Sequence, residues 1–170
     1  NGGTGYTTSP TVTITPGAGG GTGASITYNG EDKKTGGNAA TRYMTRRVTL
    51  ADGFDSGDLR VYLTAYKPSG SEINVYYKIL SGSDSEVFDN KSYQLMTQLG
   101  NPNFVSTNKR DYRELSFAPG SSLVANNSIL YTSGSTAFNS FKTFAIKIVM
   151  KTENPALVPQ ASALRAIALV

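Results

Sequence analysis

The sequence contains no cysteine and no histidine. Without cysteine there is no disulfide framework, no thiolate metal site and no thiol nucleophile, although the lack does not fix a compartment. The missing histidine removes more chemistry. It excludes Ser-His-Asp and Cys-His catalysis and any imidazole zinc site. What survives is carboxylate chemistry, as in glycoside hydrolysis, and metal binding through oxygen ligands. Charge of one sign is also scarce: 16 Lys and Arg face 12 Asp and Glu, a formal +4 that is an ordinary solubility charge for a small domain. Apart from Lys33-Lys34 and Arg46-Arg47 the basic residues are scattered, which reads as solvated strand and loop charge and argues against a nucleic-acid partner. No stretch approaches the roughly 20 apolar residues of a membrane-spanning helix, so no membrane partner is expected. The chain opens on Asn1-Gly2-Gly3 and reads as the end of a longer polypeptide.

What is plentiful is Gly, Ser, Thr, Asn and Tyr, with strand-forming residues in short runs bounded by Gly, Pro, Asn and Asp. That pattern predicts an all-β fold, an antiparallel β-sandwich of jelly-roll-like character, preceded by a small glycine-rich hairpin module. Residues 1–31 form the module. Thr11-Val12-Thr13-Ile14-Thr15 and Ala24-Ser25-Ile26-Thr27-Tyr28 flank Gly17-Ala18-Gly19-Gly20-Gly21-Thr22-Gly23. A lone two-stranded hairpin is marginal in water, so it has to lean on the next domain, on a preceding copy or on another subunit. Residues 32–40 make a polar linker and 41–170 the sandwich. Strands are expected at 45–51, 59–67, 73–80, 112–118, 128–131, 141–151 and 164–170, while 92–99 fits a short helix or an irregular excursion equally well. Leu59, Val61, Leu63 and Ala65 alternate with Arg60, Tyr62, Thr64 and Tyr66. Phe144, Ile146, Ile148 and Met150 alternate with Ala145, Lys147 and Val149. Both are the period of a half-buried strand. Pro68-Ser69-Gly70-Ser71 is turn chemistry and predicts that the strands on either side pair as a hairpin.

No cofactor is implied. The glycine run lacks the following helix and lysine of a phosphate loop, so it reads as a hairpin tip. Asp52, Asp55 and Asp58, interleaved with Gly53 and Gly57, are a candidate calcium cluster. They lack the twelve-residue loop with its terminal Glu, and the plainer reading is a solvated turn whose carboxylates cap the backbone. Asp84, Glu86 and Asp89 form a second acidic loop, where a glycosidase-like pair is the sharp reading and a solvated loop the plain one. Tyr62, Tyr66 and Tyr76 are expected to point away from the core and are the candidate interface residues, since aromatics with a polar tip suit protein contacts and sugar stacking.

Residues 1–31, with Gly5-Tyr6-Thr7-Thr8-Ser9-Pro10-Thr11-Val12-Thr13-Ile14 near the start, resemble short glycine-rich β repeats of virion proteins from cyanobacterial tailed phages. Residues 42–50, 58–80 and 141–170 resemble β-rich modules of structural proteins in contractile-tailed phages, including baseplate-associated ones. Asp58-Leu59-Arg60-Val61-Tyr62-Leu63-Thr64-Ala65-Tyr66-Lys67-Pro68 and Val75-Tyr76-Tyr77-Lys78 carry most of that likeness. It implies a non-enzymatic structural component of a phage tail, baseplate or fibre attachment, located in the virion. Its partners would be other tail subunits in a homo-oligomer or symmetric assembly. The closing pattern around Pro155 and Pro159 also looks like the end of a galactose-binding-like jelly roll, which keeps a carbohydrate-binding module for host glycans as the alternative. A catalytic β-domain using the two acidic loops comes third.

Overall fold

The computed structural model describes residues 41–124, 129–152, 154 and 156–169; the expected hairpin module and linker lie outside them. The chain forms β1 (Arg42–Met44), β2 (Val48–Thr49), β3 (Asp58–Tyr66), β4 (Ser71–Leu80), β5 (Gln94–Gln98), β6 (Arg113–Pro119), β7 (Tyr131–Ser133), β8 (Thr136–Phe138), β9 (Thr143–Thr152) and β10 (Gln160–Leu169). One turn of helix, α1 (Gly120–Val124), follows β6. All pairings are antiparallel and the main sheet runs β1-β9-β4-β5-β6-β3-β10, with β2 continuing the β1 side of β9. β7 and β8 form a separate hairpin whose tight turn uses Gly134 at φ 59°, a conformation that glycine adopts without strain.

The sheet curls on itself into a β-sandwich. β5 is the hinge of the curl: its first residues pair with β4 and its last with β6. One face of each half turns inward, so Leu59, Val61, Leu63 and Ala65 of β3 share a core with Ile73, Val75, Tyr77 and Ile79 of β4 and Phe144, Ile146 and Ile148 of β9. Phe117 of β6 and Phe141 fill the same core, with the Phe141 and Phe144 rings edge-on at 5.8 Å. The alternation read from the sequence supplies this inner face, as period-two burial requires.

The hairpin expected at Pro68–Ser71 is not formed. β3 pairs with β6 and β10, and β4 with β5 and β9. The turn is present: Ser71 donates from its backbone N–H (3.2 Å) and its hydroxyl (2.6 Å) to the Pro68 carbonyl, and Gly70 takes φ 71°. It carries the chain across the sandwich, so that two strands with equally apolar faces oppose those faces instead of sharing a ladder. β4 then matches β9 over ten residue pairs, from Ser71–Thr152 to Leu80–Thr143. Residues 94–98, left between helix and excursion by the sequence, are the strand that joins the two halves. The expected strand at 45–51 is broken at 45–47, where Thr45 bonds Ile146 through both its N–H (2.9 Å) and its Oγ1 (3.0 Å).

Candidate functional site

β4 and β9 are covered on their outer face as well, and there the sheet carries its unusual chemistry. Tyr76 and Lys78 of β4 and Ala145, Lys147 and Val149 of β9 point outward. The excursion between β4 and β5 folds back over them, placing Phe88 and Tyr93 on top. Lys147 is 0% exposed and Lys78 6%. Their ammonium groups lie against rings: Lys147 Nζ is 4.3 Å from the Tyr76 centroid and 4.8 Å from that of Tyr93, and Lys78 Nζ is 4.5 Å from Phe88 and 5.1 Å from Tyr93. The negative face of an aromatic ring compensates part of the hydration such a cation gives up. Burial pushes Lys78 below the ordinary lysine value, partly opposed by Asp89. It pushes the Tyr93 hydroxyl upward, with Asp89 adding to the rise.

A polar knot fastens the excursion to the β7–β8 hairpin. Tyr131 Oη accepts from the Ser81 N–H (2.8 Å) and donates to Asp84 Oδ2 (3.0 Å). Lys91 Nζ donates to Asp84 Oδ2 (2.7 Å), to Glu86 and to Ser133 Oγ (3.0 Å). The same ammonium sits 5.0 Å over the Tyr131 ring. Burial works to raise Asp84, but the bonds from Lys91, the Glu86 N–H and Tyr131 overcome it and hold the carboxyl at about 2. Lys91 and Ser133 lower Glu86. Tyr131 is pushed up to about 12, first by burial. Burial acts to lower Lys91, yet its two carboxylate partners leave it raised. Two clefts flank the knot: one of about 240 Å³, lined by Tyr77, Asn90, Lys91, Gln94 and Tyr131, and a wider one of about 670 Å³ beside Asp84, Ser133 and Phe138.

General acid–base work by two carboxyl groups needs one held protonated near neutrality while the other stays ionised. Asp84 and Glu86 are shifted the same way and share one lysine. The arrangement therefore acts as a charged latch. Sugar binding needs an open aromatic face, and the Tyr131 ring already carries two neighbours: Phe138 stacks on it at 5.3 Å and Lys91 Nζ lies 5.0 Å from its centroid.

The other anticipated residues are spread over the fold. Tyr76 does point away from the main core, but the excursion covers it and it is 9% exposed. Tyr66 is 5% exposed and packs on Tyr112, ring centroids 6.2 Å apart. Tyr62 is half-buried beneath the Arg165 guanidinium at 4.7 Å. The expectation of three open tyrosines is thereby corrected: each ring is covered by a neighbour within its own chain. Asp52, Asp55 and Asp58 do not converge. Asp52 pairs with Lys142 (2.6 Å), while Asp58 accepts from the Leu59 N–H (2.8 Å) and pairs with Arg60 (2.9 Å). Among the described residues no group of three His, Cys, Asp or Glu is placed to hold a metal ion. The lysine layer went unread in the sequence, though its signal was there: Ala145 and Val149 flank Lys147 on the supposedly wet face of β9. The latch was half signalled: Asp84 and Glu86 stood out as an acidic loop, but nothing joined them to Tyr131, whose Oη partner Asp84 is 47 residues away.

The open apolar surface lies elsewhere. Tyr43 (58% exposed), Met44 and Val48 sit on the β1–β2 edge, and Phe54 (62% exposed) lies in the following loop. At the other end of the sheet β10 pairs with β3 alone among the described residues.

No family model matches the chain, and no curated protein does. Among solved structures it is similar to the crystal structure of the infectious bursal disease virus VP2 subviral particle, at 8% identity and a TM-score of 0.30. The match covers 75% of this chain and 31% of that protein, so the chain spans about a third of its length; a likeness of this degree bears on neither fold nor role.

Proposed function

We propose that the chain is a structural building block of a virus particle, a tail, baseplate or fibre-attachment component of a tailed phage, that works through protein–protein contacts and not through catalysis. The observation that carries the proposal is that, among the described residues, both outer strands of the main sheet have no strand on their outer side, one with Tyr43, Met44 and Val48 exposed and the other ten residues long. Open edges with apolar side chains are what soluble monomers suppress and assemblies use. The resemblance of 42–50, 58–80 and 141–170 to phage structural modules supports the particle, and the doubly ionised latch supports a role without chemistry. The location that follows is the virion.

Oxidative footprinting of purified particles against the free protein tests this reading. Tyr43, Met44 and Phe54 are expected to be protected at least several-fold in the particle. Equal labelling in both states, or particles without peptides from this chain, overturns it. Carbohydrate binding remains the weaker reading, supported by the polar cleft beside Tyr131 but opposed by Phe138 and Lys91, which already pack on that ring.

A further inference from the structure

The far edge of β10 is the longest unpaired backbone among the described residues. It also lacks the devices by which edge strands avoid pairing. Gln160–Leu169 contains no proline, no lysine and no acidic residue. Its one register irregularity, between Ala161 and Ala163, lies at the start and leaves 163–169 regular. Its single charge, Arg165, is already engaged by Glu114 (3.2 Å) and by the ring of Tyr62. Natural edges of this length are normally blunted by charge, proline or a mid-strand bulge.

We infer that β10 pairs antiparallel with β10 of a second copy of this chain, about a twofold axis at Ala166, so that the two sandwiches share one continuous sheet. This register sets Ala163 opposite Leu169, Leu164 opposite Ala168 and Arg165 opposite Ile167. Leu164 and Leu169 then each face an alanine, Arg165 faces Ile167 and not a second arginine, and the smallest pair, Ala166 on Ala166, sits on the axis. Like charges directly opposite one another weaken a ladder. The competing partner, the β1–β2 edge of a neighbour, fits worse. It is broken at 45–47 and carries Arg42, Arg46 and Arg47, which would meet a strand whose only charge is Arg165. A twofold contact of this kind is closed, as an isologous interface must be. The inference deepens the structural reading above and rests on it for biological sense, although the pairing is a property of the isolated protein.

The test uses the whole 170-residue chain in solution. Sedimentation at rising concentration is expected to show twice the 18.0 kDa of one chain. Ala166→Lys, an exposed position, is expected to raise the dissociation constant at least about tenfold by setting two ammonium groups face to face. The sequence has no cysteine, so Ala166→Cys introduces one thiol per chain. Across the axis the Cα atoms lie about 4.5–5.5 Å apart, within disulfide reach, and mild oxidation should give a covalent dimer. Ala163→Cys places the two thiols roughly 20 Å apart along the strand and should give none. The cysteine pair decides the matter even where the lysine variant fails to fold. A monomer at every concentration, as when residues 1–40 of the same chain cover the edge, overturns the inference. Cross-linking from position 163, or masses above the dimer, overturns it too. A dimer that is missing from particles defeats the structural reading instead, so the two failures are separable.

Discussion

β4 and β9 bury both of their faces, and the two burials are of different kinds. The inner face meets aliphatic and aromatic side chains from the other half of the curl. The outer face buries two lysines among three rings and is closed by a loop held through ionised groups. Inside, stability comes from removing apolar area from water and filling space. Outside, the cost of desolvating two ammonium groups offsets much of the same gain. The sheet alone is therefore expected to hold the fold, with the outer layer as the looser unit, open to local release without loss of the sandwich.

The sharpest way to break that contrast is inside. Phe141 is fully buried and packs edge-on against Phe144. Phe141→Ala is expected to lower the unfolding free energy by ~3–5 kcal/mol, measured by urea denaturation. A loss under about 1 kcal/mol would show a core loose enough to collapse around the void. The outer counterpart is Tyr93→Leu, which keeps apolar volume but removes the ring shared by Lys78 and Lys147. A loss of about 2 kcal/mol is expected from the two cation–ring contacts. In the predicted contrast, amide exchange speeds up in the 81–93 segment while the inner strands keep their protection. Uniform acceleration would mean that the two layers unfold as one.

The difference between layers also explains what the sequence disclosed. Strand periodicity in β3, β4 and β9 is a local property, so the inner face was legible residue by residue, and so was the β-sandwich class. Pairing partners are not local. Pro68-Ser69-Gly70-Ser71 encodes a reversal without encoding whether the next strand lies beside the first or opposite it, and here the equal apolarity of both strands favoured opposition. The fate of Tyr62, Tyr66 and Tyr76 depended on Arg165, Tyr112 and the excursion, all distant in sequence. Alternation gave their direction, and distant cover decided their exposure. The three aspartates stood close in sequence, but Asp52 turns to Lys142 and Asp58 to Arg60.

Lys147 shows how much of the outer layer the shared ring holds. Lys147→Met keeps the length of the side chain, packs well against rings and removes the cation over Tyr93. Combined with Tyr93→Leu it is expected to cost less than the sum of the two single changes, by about 1 kcal/mol, because each change alone already removes the Lys147–Tyr93 contact. Additive losses in urea denaturation would show that this contact contributes nothing to the layer.

The smallest expected effect is acid release of the latch. Asp84 titrates near 3.8 when free and at about 2 in the fold. A depressed carboxyl contributes stability that is complete above the free value and fades as pH falls through the folded one. The contribution is therefore present at neutral pH and disappears between about 4 and 2. Asp52 and Asp111 are lowered as well, by Lys142 and by the Thr107 N–H respectively, so acid will destabilise the protein even without the latch. What identifies Asp84 is a difference: Asp84→Asn should have a flatter fall in unfolding midpoint than the parent across that window, with near-ultraviolet dichroism reporting Tyr131 as it loses its acceptor. Parallel slopes for the two proteins would place the acid sensitivity at the exposed pairs, and the loop closing the outer layer would then be held by its aromatic side chains alone.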